Sequence, residues 1–361
     1  MRFACPHCNT PLNAQESKIG MVCKCSRCGE QVKIPRGAVA SSPHETAGPA
    51  APLRLPGLNP TLYEHPFDKR ALDALEKTPG LPRLVSKLNG LSVERMNRIL
   101  YAGSNLRVSK ECIPEFYAIF QHACDILHLP KIPSLYIEWK DEVDALTAGV
   151  VQPMVVVTAG VVDRLSEAEQ LFVLGHEIGH IKSEHVLYHQ VGQWLPVLSE
   201  MIGDATFGIG ELLSKPVELA LLHWIRMSEL TADRAGLLAC QDHRAATTTF
   251  MKIAGLPESY RDMVNPDAFI AQAREFQEFD FQTLDKVLKL LLAGGAGHPW
   301  TVMRAGELLK WIDGGGYQSI LNQFGACSGS QHALEVRFCP NCGFERRKDE
   351  TCCTNCGTEM R

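Results

Sequence analysis

Ile113, Phe116, Tyr117, Phe120, Cys124 and Leu127 recur at three- and four-residue intervals, the spacing that gathers apolar side chains on one face of a helix. Two β-rich runs follow, Leu135-Tyr136-Ile137 and Met154-Val155-Val156-Val157-Thr158, and these predict strands. Ser166 stands three residues before Glu169 in capping-box spacing, and Leu171, Val173, Leu174, Ile178 and Ile181 continue at helical period, so a second helix is predicted to begin near Glu167. The pattern is that of an α+β fold, predominantly helical.

Between Gly37 and Pro60 the periodicity stops. Five prolines and few large apolar residues predict a flexible linker over 37–60. It divides a small cysteine module, 1–36, from a body of 61–325, and a second cysteine module occupies 336–361. With 45% hydrophobic and 21% charged residues, the 361-residue chain has enough apolar surface for a sizeable core. A net charge of −5 gives no general attraction to nucleic acid or to anionic lipid. No apolar run follows the opening MRFACPHC, and no stretch of about 20 residues is free of charge, so neither a secretory signal nor a confident membrane span is expected. A cytoplasmic location is the expectation, with peripheral membrane contact left open.

The second helix carries His176-Glu177-Ile178-Gly179-His180. Imidazoles four residues apart lie one turn above each other and can reach a single zinc ion, while Glu177 stands beside it. A carboxylate there can take the proton of a water acidified by the metal and pass it to a leaving amine, which is peptide-hydrolysis chemistry. In Ser228-Glu229-Leu230-Thr231-Ala232-Asp233, two carboxylates four apart share another helical face. Glu229 is the expected third ligand, and Asp233 the expected acceptor that orders the histidines through a ring N–H. His185 is a rival ligand. The alternative spacing that would recruit it needs a glycine and a histidine where Ser183 and Val186 stand, so it is expected on the helix surface.

HEIGH, then SELTAD, then His298-Pro299 with Arg304 five residues beyond the proline, resemble the HtpX and CaaX-prenyl-protease-type zinc endopeptidases over about residues 60–315. The resemblance implies a zincin-like fold of the gluzincin type, with the active-site helix after a small sheet and Val143 to Val151 as an edge along which a substrate strand pairs. It also makes His298 and Arg304 candidates for binding substrate or steadying an oxyanion. One departure stands out. Residues 194–226 contain Glu200, Asp204, Glu211, Lys215, Glu218 and Arg226, where membrane members of the family place spanning helices. The apolar stripe in that stretch, Leu195, Leu198, Met201, Ile202, Ile209, Leu212 and Leu213, is expected to face the core, the alternatives being a cap on the cleft, a contact with another subunit or a seat on a membrane surface.

Of fourteen cysteines, ten crowd into the first 28 and last 23 residues. Cys5, Cys8, Cys25 and Cys28 form two Cys-x-x-Cys knuckles, and Cys339, Cys342, Cys353 and Cys356 form two more, each set supplying four thiolates for one tetrahedral zinc. These resemble zinc ribbons. The cofactor expectation is therefore one catalytic and two structural zinc ions. Residues 1–36 carry +4 and residues 331–361 are balanced, and each zinc-thiolate cluster subtracts 2, so phosphate binding is not expected. Protein recognition is the expected ribbon role beyond stapling. The functional expectation is a zinc metalloendopeptidase acting on protein or peptide substrates. The alternative is a non-catalytic adaptor that works through its ribbons.

Overall fold

The computed structural model describes residues 2–4, 11–13, 22–25, 27–33, 52–90, 93–200, 215–278, 301–329, 337–338 and 345–346. The chain divides into two compact units, Met1–Ala51 and Pro52–Arg361.

In the first unit, β1 (Arg2–Ala4) pairs antiparallel with β2 (Pro11–Asn13), and β3 (Val22–Lys24) with β4 (Gln31–Lys33). Cys25 follows β3 and is buried, whereas Cys28 is exposed. Gly29 takes φ +75°, a left-handed turn residue that lets the chain reverse after the knuckle. In the second unit β9 (Arg337–Phe338) pairs with β10 (Glu345–Arg346). Cys5, Cys8, Cys339, Cys342, Cys353 and Cys356 lie outside the described residues.

The body starts at residue 52, earlier than the linker boundary at Pro60 implied. Leu55 and Leu58 are fully buried, the Leu55 N–H donates to the Ile126 carbonyl at 2.8 Å, and Gln241 clamps the backbone of Leu53 from both sides. A turn at Pro56-Gly57, with Gly57 at φ +71° and the Leu58 N–H donating to the Leu55 carbonyl at 3.1 Å, sends both leucines into the core. Then come α1 (Pro66–Glu76), α2 (Leu81–Gly90), α3 (Val93–Ser104), β5 (Leu106–Val108) and α4 (Pro114–Ile126). Three more strands follow, β6 (Ser134–Glu138), β7 (Ala145–Ala148) and β8 (Met154–Thr158). The remaining helices are α5 (Ala159–Arg164), α6 (Glu167–Lys182), α7 (Val186–Glu200), α8 (Lys215–Cys240), α9 (His243–Ile253), α10 (Pro266–Glu278), α11 (Thr301–Asp313) and α12 (Gly316–Gly329).

The main sheet runs β5-β6-β8-β7, with β6 and β8 parallel and the outer pairs antiparallel. All five residues of β8 are buried, as an apolar run in a central strand requires. β7 is an edge, within the Val143–Val151 segment, and among the described residues it pairs with β8 alone.

Helix α6 is buried on every side from Glu169 to His180, as befits a helix at the centre of the core. Its capping box is present as the sequence predicts. The main core joins α4, β8, α6, α8, α9 and α11. A second cluster, built on Leu75, Leu81, Leu84, Val191, Val217, Leu221 and Trp224, holds α1, α2, α7 and α8 together. No helix among the described residues is long and apolar enough to cross a membrane. Residues 201–214 lie outside the described residues.

Candidate metal centre and active site

Gly179 on α6 faces Ala232 and Ala235 on α8, and Gly236 on α8 faces the Phe172 carbonyl on α6. A Cβ at Gly179 would fall 2.6 Å from the Ala235 Cβ, and one at Gly236 2.7 Å from that oxygen. This seam of small residues lets the two helices touch at backbone distance. Glu229 is thereby carried to the imidazoles of α6.

Nε2 of His176 and Nε2 of His180 are 3.1 Å apart, and the Glu229 carboxylate approaches each at 3.4 Å. One ligand-type atom from each of the three residues lies within 4.8 Å of the others, the two carboxylate oxygens of Glu229 facing one imidazole each, and this is one of two such groups among the described residues. Metal bonds of about 2.0–2.2 Å in a tetrahedron require donor–donor edges of about 3.3–3.6 Å, and two nitrogens with one carboxylate oxygen are a donor set zinc accepts. The residues fit that ion.

Each ring is held from behind. The buried Asp233 carboxylate accepts from Nδ1 of His176 at 3.0 Å, which leaves Nε2 with its lone pair facing Glu229. His180 is ordered by a different partner, so Asp233 serves one histidine and not both. Nδ1 of His180 meets Nδ1 of His185 at 3.1 Å, and Nε2 of His185 meets Oδ2 of Asp68 at 3.1 Å. An ionised Asp68 accepts the Nε2–H of His185. In that tautomer Nδ1 of His185 accepts the Nδ1–H of His180, and the lone pair of His180 Nε2 is again turned to the centre. Thr231 Oγ1 donates to Asp68 at 2.6 Å and accepts the backbone N–H of His65 at 3.0 Å. His185 is therefore buried, not helix surface. Helix α6 ends at Lys182, and Glu184 at φ +60° turns the chain so that His185 swings back under His180.

Arg304, from α11, is buried against the same group. Its Nε and Nη2 donate to the two oxygens of Asp233 at 2.8 and 2.6 Å, and Nη1 reaches Glu229 at 3.1 Å. These bonds make it a clamp between the two carboxylates. His298 lies outside the described residues. Glu177 accepts from Thr147 Oγ1 on β7 at 2.7 Å, and the same hydroxyl lies 3.2 Å from the Glu177 carbonyl.

Burial raises the Glu177 carboxyl to about 7, against opposing pulls from His176 and Thr147. For Glu229 and Asp233 burial also pushes upward, but the charge of Arg304 and the histidine hydrogen bonds outweigh it and hold both well into the ionised range. Burial pushes His180 down to about 4. It acts the same way on His176, but there Asp233 and Glu229 prevail and raise the ring to about 10. The two carboxylates favour positive charge at this spot, which a metal cation supplies.

The cleft over these atoms, ≈ 290 Å³, is bounded by Ala145, Leu146 and Thr147 of β7 on one side and by His189, Gln193 and Ile225 on the other. The expected residues His176, Glu177, His180, Glu229, Asp233 and Arg304 converge here. Sequence reasoning does not reach Thr147 or Asp68, and it weighs His185 only as a rival ligand. A threonine in a strand and an aspartate more than a hundred residues before the motif carry no local signal of their role.

Residues 114–312 match Peptidase family M48. The chain is 31% identical over 276 residues to the plastoglobule-localized metallopeptidase 48, chloroplastic, of Arabidopsis thaliana, covering 75% of this chain and 78% of that one. It is 26% identical over 174 residues to a protease HtpX homolog of Burkholderia cenocepacia, covering 42% of this chain and 61% of that relative. A protease HtpX homolog of Burkholderia lata matches to the same extent. The family match spans more than half of the sequence, including both helices that build the centre, and the chain belongs to peptidase family M48, a family of metalloproteases.

Proposed function

We propose that the protein is a zinc-dependent metalloendopeptidase, with His176, His180 and Glu229 as ligands of a catalytic zinc. The observation that carries this is the approach of the two Nε2 atoms to 3.1 Å of each other and of the Glu229 carboxylate to 3.4 Å of each, with the far nitrogen of each ring held by a buried partner. When bound, zinc supplies a Lewis acid that acidifies water and polarises a peptide carbonyl.

Glu177 is the general base and then the general acid. Thr147 aims its carboxylate, and burial tunes it to about 7, where a carboxyl group both takes and returns a proton near neutral pH. It accepts a proton from the attacking water and delivers it to the amine that leaves as the peptide bond breaks. A substrate strand pairs with the outer edge of β7, which runs directly beside Glu177. Arg304 is assigned a positioning role through Asp233 and Glu229.

Each terminal cysteine set is assigned one structural zinc, through Cys5, Cys8, Cys25 and Cys28 and through Cys339, Cys342, Cys353 and Cys356. Protein recognition by these modules is part of the same proposal, as is a cytoplasmic, reducing location, which the clustering of paired cysteines supports.

Metal analysis of the purified full chain tests the ligand set. Three zinc ions per chain are expected, and two in the His176→Ala/His180→Ala protein. An unchanged count would overturn the assignment.

A further inference from the structure

Helix α3 is inside out. Its packed side carries Val93, Asn97 and Tyr101, and the buried Asn97 accepts the indole N–H of Trp194 at 3.0 Å. Its outer side carries Met96, Ile99 and Leu100, which are 44%, 65% and 55% exposed. Scattered exposed apolar residues are ordinary, but these three stand at i, i+3 and i+4 and form one stripe on one helix.

The charge of the sequence that flanks the stripe is one-sided. Residues 81–107 contain Arg83, Lys87, Arg95, Arg98 and Arg107 against Glu94 alone, a local +4 in a chain of net −5. Glu94 is turned aside, its carboxylate accepting the backbone N–H groups of Val151 and Gln152 at 3.1 and 3.0 Å. The turn it caps offers a further apolar tip, Val151, at 73% exposure.

We propose that α3 docks the protein onto an anionic lipid surface. Met96, Ile99 and Leu100 enter the boundary between headgroups and acyl chains, and the exposed Arg95 beside Ile99 meets lipid phosphates, whereas Arg98 donates to the Gln152 side chain. A second copy of the chain fits this face poorly. A two-fold contact would set one +4 segment against another, and three side chains supply far less than the roughly 800 Å² per partner of a standard interface. Docking would also orient the cleft. Gln193, which lines it, donates to the Tyr101 hydroxyl on the inner side of α3 at 3.4 Å, so lipid against the outer side lies about one helix diameter, ~10 Å, from the cleft wall. The inference stands whether or not the cleft is catalytic.

Co-sedimentation of the full chain with phosphatidylcholine vesicles, with and without phosphatidylserine, tests it. The wild type is expected to bind the phosphatidylserine vesicles, less so as salt is raised, and to bind neutral vesicles weakly. Ile99→Asp/Leu100→Asp is expected to weaken that binding about tenfold or more, with circular dichroism and thermal unfolding unchanged. No binding to either vesicle, or binding that the folded double variant retains, would overturn the proposal. So would a wild-type dimer in sedimentation velocity that the same substitutions dissociate without any lipid binding.

Discussion

Nδ1 of His180 lies 3.1 Å from Nδ1 of His185, a histidine that supports a histidine, and Asp68 completes the chain from the far side of the core. The path joins α6 to α1, which precedes the segment matched to the family. Removing the last acceptor frees His185 to adopt the other tautomer, and His180 then loses the partner that turns its lone pair inward. Asp68→Ala and His185→Phe are each expected to weaken zinc binding about 10- to 100-fold, read by chelator competition. Wild-type affinity in both would show that the relay does not orient the ligand.

Arg304 keeps the buried Asp233 carboxylate and the half-buried Glu229 carboxylate from facing each other uncompensated. In metal-free protein, Arg304→Met is expected to lower the unfolding free energy by about 3–5 kcal/mol, the usual cost of stranding a buried charge. Zinc should restore part of that, because the cation faces Glu229 as the guanidinium does. Urea unfolding of wild type and variant, with and without zinc, gives the comparison, and a metal-free loss under about 1 kcal/mol would contradict the clamp.

Glu169 closes the capping box of α6 and accepts from Lys252 Nζ at 2.7 Å. Burial pushes its pKa up, but Lys252, Thr248 and the Ser166 N–H outweigh burial and hold it below 4.5. A carboxyl group whose folded pKa is depressed stabilises the fold above its unfolded value and loses that contribution as pH falls through the folded value. Glu169→Gln is therefore expected to cost about 1–3 kcal/mol near neutral pH, with the gap from wild type closing below about pH 4.5. A gap independent of pH would point to packing instead.

The seam of α6 and α8 admits no side chain at Gly236, where a Cβ would lie 2.7 Å from the Phe172 carbonyl. Gly236→Val is expected to cost about 1–3 kcal/mol by forcing the helices apart, and to weaken zinc binding because Glu229 withdraws from the imidazoles. Calorimetry and chelator competition report the two effects separately. Loss of stability with undiminished zinc affinity would mean that Glu229 does not depend on this contact.

How much of this was legible in the chain follows from the range of the interactions. Helix α6 announces itself through local signals, the capping box and the 3.6-residue apolar period. Glu229 and Asp233 declare a shared face because i, i+4 spacing is also local. Thr147 and Asp68 act through tertiary contacts that no period encodes. His185 escapes the pattern because the apolar repeat says nothing about the left-handed Glu184 that ends the helix and redirects the next side chain. Composition overextends the linker for a related reason. Averaged composition hides Leu55 and Leu58, two apolar residues spaced among prolines that dock fully in the core.

Peptide cleavage by the Glu177→Gln protein, with its zinc content measured in the same preparation, tests the central claim most directly. Glutamine keeps the shape of the side chain and removes the proton acceptor. The expected result is wild-type zinc content with cleavage lowered about 10²- to 10⁴-fold. Cleavage at the wild-type rate with the metal retained would contradict the role of Glu177, and with it this reading of the centre.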